Sequence, residues 1–135
     1  MKKLIIHTDG GARGNPGPAG IGIVMADEQG KIIKTISRYL GRATNNQAEY
    51  QALLTAINEA VKLKAQEADF YLDSELVVKQ MKREYKVKDK ELQSLFVKIY
   101  NQTLQFKKIS FHHVGREKNK EADALANKAM DRGDN

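Results

Sequence analysis

The chain contains no cysteine. Disulfide staples and thiolate metal centres are therefore excluded, and any metal must sit on oxygen or imidazole ligands. Long apolar runs are absent as well: the opening MKKLIIHTDG has only three consecutive apolar residues before polar ones return. That is too short for a secretory signal or a membrane span, so the expected location is cytoplasmic. Only two prolines occur, and both fall with six of the ten glycines in one segment, GGARGNPGPAGIG. The rest of the chain is free of strong breakers.

What is present is ordinary for a globular domain: 135 residues, 41% hydrophobic and 30% charged. That length supports one hydrophobic core, so a single domain is expected over 1–135, with a frayed tail at 131–135. Twenty-three Lys and Arg against 17 Asp and Glu leave a net charge of +6. A basic chain suits a polyanion, although composition alone does not establish one. From Lys79 to Lys90, six basic residues stand against Glu84 and Asp89; taken alone, this stretch reads as a solvated helix face.

The pattern along the chain alternates strands and helices. KLIIHT (3–8) is a short β-branched run that reads as a buried strand. The glycine-rich segment reads as a loop leading into a strand at about 20–26, and DEQGK as the hairpin turn before the strand KIIKTISRYL. Thr44 or Asn45 caps a helix from Gln47 to about Lys64, with the stripe Leu53, Ala56, Ile57 and Ala60. A strand at 68–73, helices at about 75–83 and 90–104, a strand at 107–112 and a helix at about 118–130 complete the order βββαβααβα. This order predicts an α/β fold: an antiparallel meander, then strands returning through helical crossovers.

Four carboxylates stand out. Asp9 and Asp73 end two strands; if these are parallel neighbours, both emerge at one edge of the sheet, where such folds bind ligands. Glu49 is four residues before Leu53 and seven before Ala56, on the apolar stripe of its helix, and Asp123 flanks the stripe of the last helix. Each has an ordinary reading alone: Asp9 a turn former, Asp73 a helix cap, Glu49 a helix-start residue, Asp123 a solvated side chain. Their convergence on one edge favours a common role. Oxygen-only ligands suit Mg²⁺ or Mn²⁺, and clustered acids at a two-metal site are a usual arrangement for phosphodiester hydrolysis.

Four ordered segments then resemble a known family. TDGGARGNPGPAGIG, TNNQAEYQALL, YLDSELVVKQM and HVGREKNKEADALAN are similar to the acidic motifs of type 1 ribonuclease H. The resemblance implies a ribonuclease H-like fold, with a five-stranded mixed sheet flanked by helices. It implies Asp9, Glu49, Asp73 and Asp123 as ligands of two Mg²⁺ ions, replaceable by Mn²⁺, and His113 as a flexible residue assisting proton transfer or product release. One ion would activate the attacking water and the other stabilise the leaving oxygen. The RNA strand of an RNA–DNA hybrid would then be cut to 3′-hydroxyl and 5′-phosphate ends. Asn15 resembles a position touching the RNA backbone, Asn45 one reading the minor groove, and Arg42 and Thr44 a pocket for a DNA-strand phosphate. His7 and His112 are expected to be structural. No membrane association or obligate protein partner is implied.

The sequence departs from the pattern in places. Only 40 residues separate Asp73 from His113, too few for the basic protrusion of longer members, and no tryptophan is present. Glu75 stands where glutamine is common, and Asp89 where a phosphate pocket often has asparagine. The chain resembles the short, protrusion-lacking branch found in archaea and many bacteria, in which double-stranded RNA becomes a conceivable substrate. Two other readings are a nucleic-acid-binding module with weak or no catalysis, and a transposase- or integrase-type domain of the same fold. The retained acids argue against the first, and Asn45-Asn46 with the His113 loop against the second.

Overall fold

The computed structural model describes residues 2–133. Three strands open the chain: β1 (Lys3–Ala12), β2 (Gly17–Ala26) and β3 (Ile32–Ala43). Helix α1 (Asn45–Lys62) leads to β4 (Glu67–Leu72), then α2 (Glu75–Met81) and α3 (Lys90–Thr103) lead to β5 (Lys108–His113), and α4 (Lys120–Arg132) closes the fold. The sheet order is β3-β2-β1-β4-β5, with β1 antiparallel to β2 and parallel to β4.

The expected element order is observed, but the glycine-rich segment is not mainly loop. β1 runs on through Gly10 and Gly11, β2 begins at Gly17, and only 13–16 form the turn. Two of the segment's glycines, Gly10 and Gly22, mark close packing rather than chain reversal. A Cβ on Gly10 would lie 2.2 Å from the Ala48 carbonyl oxygen of α1, and one on Gly22 would lie 2.0 Å from that of Ala122 in α4. Gly10 and Gly22 thus admit α1 and α4 to opposite faces of the sheet, since successive strand residues point to opposite sides.

The main core lies between the sheet and α1, where Leu4, Ile6, Ile21, Ile23, Leu53, Ile57 and Phe70 are inaccessible to solvent. α4 presents Ala122, Ala126 and Ala129 to the other face, small residues that let it sit low on β2. Residues 131 and 132 are more ordered than their composition suggests. Asp131 and Arg132 belong to α4: Asp131 pairs with Arg13 at 2.7 Å, and Arg132 donates to the Ser37 carbonyl at 3.0 Å. The expected fraying at 134 and 135 lies outside the described residues.

Candidate functional site

Asp9 lies within β1, not at its end, because β1 continues pairing to Ala12. It is opposite Gly22 on β2, the position whose missing side chain brings α4 close. Thr8 is in register with Leu72, so Asp73, the first residue after β4, emerges beside Asp9 at the same level of the parallel pair. Gly10 lets the backbone of α1 approach at Ala48 and Glu49, which brings Glu49 to this end of β1. Asn119, fully buried at the start of α4, donates from Nδ2 to the Thr8 carbonyl at 2.9 Å. The Asn119 carbonyl in turn accepts from the Asp123 amide at 3.0 Å. One anchor therefore fixes Asp123 relative to the strand that bears Asp9.

All four acids line one cleft of about 350 Å³, together with Arg13, Asn45, Arg116 and Asn127. Burial, followed by the charges of Asp73 and Asp123, pushes the Asp9 carboxyl up to about 8. Burial likewise raises Glu49 to about 7, partly offset by a hydrogen bond from the Ser74 hydroxyl. Asp73 is raised by burial, an effect that Arg116 opposes and Asp123 reinforces. The Arg116 guanidinium stands 4.0 Å from the Asp73 carboxylate. Among the described residues no three acid or imidazole groups form a preformed cage for one ion; the acids line an open wall. The donor set nevertheless fits hard divalent cations. It is all carboxylate, crowded with like charge and partly desolvated, a condition that a cation relieves.

His113 is the last residue of β5, in register with Leu72, so it stands at the same end of the sheet. Its side chain is exposed and outside the cleft lining. Asn15 and Asn45 are joined: the Asn15 side-chain carbonyl accepts from the Asn45 amide at 3.0 Å, and that of Asn45 accepts from the Ala12 amide at 2.8 Å. Together they tie the 13–16 turn to the start of α1 beside the acids. Thr44 caps α1 in a reciprocal pair with Gln47. Arg42 stands apart, in a groove of about 510 Å³ shared with Gln47, Gln51 and Glu91.

The acid that shares the groove of Arg42 is Glu91. Asp89 caps α3, accepting from the Leu92 amide at 3.1 Å, and borders a different cleft with Asn46, Lys86 and Lys88. Glu75 opens α2 and reaches toward Lys79 at 3.8 Å. His7 and His112 stack on either side of Tyr71, at 5.1 and 4.8 Å between ring centres. Sequence reasoning missed Arg116 and Asn119. The one available signal was an asparagine a single helical turn before Asp123.

With α1 and α4 on opposite faces of a five-stranded mixed sheet and the acids gathered at one end of its β1–β4 parallel pair, the molecule has the ribonuclease H-like fold. A family model described as reverse transcriptase-like matches residues 7–129. The ribonuclease H of Ruthia magnifica subsp. Calyptogena magnifica is 33% identical over 150 residues, covering 98% of each chain. The chain belongs to the ribonuclease H family. The bifunctional protein Rv2228c of Mycobacterium tuberculosis is 45% identical over 130 residues, covering 96% of this chain and 36% of that protein. The chain thus spans about a third of the length of that relative. The solved structure of LC11-RNase H1 in complex with an RNA/DNA hybrid superposes with a TM-score of 0.90 at 44% identity, covering 96% of this chain and 97% of that one. Among the described residues no helix is long and apolar enough to cross a membrane.

Proposed function

We propose that this chain hydrolyses the RNA strand of RNA–DNA hybrids, leaving 3′-hydroxyl and 5′-phosphate ends, with Asp9, Glu49, Asp73 and Asp123 as its metal-holding acids. One observation carries the reading: four acids from β1, α1, the end of β4 and α4 line a single cleft, two of them pushed to about 8 and about 7 by burial and mutual repulsion. Two Mg²⁺ ions, or Mn²⁺ in their place, supply charge neutralisation, an activated water and stabilisation of the leaving oxygen when bound.

The chain's own residues do the rest. Ser74 orients Glu49, and its Oγ also accepts from the Val77 amide, so the carboxylate is held by the start of α2. Asn119 sets the height of Asp123 against Asp9. The interlocked pair Asn15 and Asn45 stiffens the wall on which the RNA strand lies, and the amide groups of both side chains remain as donors toward backbone and groove. Arg42, in a groove shared with Glu91, and Thr44, at the nearby cap of α1, take the more distant DNA-strand phosphate, and Glu91 makes that pocket weaker than a purely basic one. His113, exposed at the same sheet end, moves a proton at the departing product. Selection of a hybrid rests on 2′-hydroxyls, which separate RNA from DNA, and on groove shape.

The test is a purified protein incubated with end-labelled hybrid, double-stranded RNA and double-stranded DNA in Mg²⁺ or Mn²⁺. Cleavage confined to the RNA strand of the hybrid and abolished by chelator is the expected result. Cutting that persists in excess chelator excludes the metal-dependent mechanism.

A further inference from the structure

Between α3, the end of α2 and β5 lies an apolar groove of about 370 Å³, walled by Met81, Phe96, Ile99, Tyr100, Ile109 and Phe111. It shares no lining residue with the acid cleft. On α3 and its C-cap the groove continues into an apolar stripe at helical spacing, Val97, Tyr100 and Leu104, with exposures of 54%, 43% and 68%. β5 is the last strand in the sheet, so its outer edge pairs with no other strand among the described residues. An open strand edge beside exposed apolar side chains is a template for a further chain segment.

The charge around the groove selects the occupant. Residues 92–116, which include most of α3 and all of β5, contain no Asp or Glu and carry Lys98, Lys107, Lys108 and Arg116. Lys82 lines the groove, and the Arg83 guanidinium lies 5.6 Å from the centre of the Tyr100 ring. The acid on the neighbouring strand, Asp69, is engaged by Lys3 at 3.0 Å and by the Ser110 hydroxyl. A second copy of this chain would bring the same cations against themselves. A nucleic-acid backbone would match the charge but leave the apolar wall uncovered.

We propose that the groove between α3 and β5 docks an acidic peptide segment with interspersed apolar side chains, extended along the free edge of β5. Main-chain groups pair with the strand, alternate apolar side chains enter beside Tyr100, and the acids meet Lys82, Arg83 and Lys107. Docking here is independent of catalysis.

Fluorescence anisotropy with a short labelled peptide alternating Asp or Glu with Leu or Phe tests it, against a counterpart with Lys for every acid. The acidic peptide should bind saturably and the lysine peptide should not. Affinity should fall about tenfold or more in the double variant Lys82→Glu/Arg83→Glu and in Leu104→Asp, both exposed sites whose fold is checked by circular dichroism. Asp9→Asn should bind as wild type, and amide exchange at 109–113 should slow on binding. Equal binding of both peptides, or unchanged affinity in the variants, overturns the proposal. Displacement by a single-stranded oligonucleotide overturns it as well, because the groove is then a nucleic-acid surface.

Discussion

Asp9 holds its proton to about pH 8 because burial and the charges of Asp73 and Asp123 all oppose ionisation. Such a group is poised to exchange its proton for a metal ion, which is the chemistry proposed for it. His113 is a different kind of residue: exposed, at a strand end, and outside the cleft lining. His113→Ala should therefore slow hybrid cleavage by about 100-fold, the lower end of proton-transfer contributions, without abolishing it. Single-turnover and steady-state rates measured together check this; a loss as complete as that of an acid variant would make His113 a direct metal ligand. Asp73 at a strand end and Glu49 and Asp123 beside helix stripes left local patterns in the sequence, whereas Asp9, expected at a strand end, lies inside β1. Arg116 and Asn119 were not legible there. The Asn119–Thr8 bond joins residues 111 positions apart, and no local periodicity reports an interaction of that span.

At the scale of elements, Gly22 and the loop after α2 decide most. Gly22 stands opposite Asp9 and admits α4, so Gly22→Ala forces a methyl group to within 2.0 Å of the Ala122 carbonyl oxygen unless α4 moves. We expect a loss of about 1–3 kcal/mol in stability, with a larger fall in activity because α4 carries Asp123. Chemical denaturation beside a cleavage assay separates the two; unchanged values of both would contradict this packing role. The glycine-rich segment reads as loop in the sequence for a related reason: glycine signals both a turn and a close approach, and only the helices, distant in sequence, reveal which.

The basic stretch after α2 divides in the structure. Lys86 and Lys88 border a cleft with Asn46, next to the start of α1 and the acid site, whereas Lys82 and Arg83 face the α3–β5 side. Neutralising Lys86 and Lys88 should weaken hybrid binding and flatten its salt dependence, by roughly 0.9 in log–log slope for each phosphate left without its cation. Neutralising Lys82 and Arg83 should leave the slope nearly unchanged. Affinities measured at several salt concentrations decide it, and equal effects from both pairs would refute the division.

For the molecule as a whole, the acid cleft makes stability depend on pH in the metal-free state. Asp9 and Glu49 hold folded-state values of about 8 and about 7, above their unfolded values of 3.8 and 4.5. The folded state therefore binds more protons than the unfolded state between these limits, and stability falls as pH rises from about 5 to 8. Glu59 and Asp69 are shifted downward and act only at lower pH, while His7, lowered by burial, opposes the trend near pH 6. Melting temperature in chelator should fall across this window in wild type and fall less in Asp9→Asn, which should be the more stable protein at pH 8. Parallel curves for the two proteins would show that Asp9 is not desolvated. Mg²⁺ should raise the wild-type curve most at the alkaline end.

If the four acids act as one metal-dependent site cutting the RNA strand of a hybrid, removing the charge of Asp9 should disable all of it. The most direct measurement is the rate of RNA-strand cleavage in Mg²⁺ by Asp9→Asn against wild type, with the fold of both verified by circular dichroism. Glu49→Gln and Asp73→Asn serve as companions. A loss of about 1,000-fold or more is expected in Asp9→Asn, the upper end of what removal of one charge-stabilising group costs, with hybrid binding retained or tightened. Turnover near wild type in a folded Asp9→Asn would contradict a shared metal site.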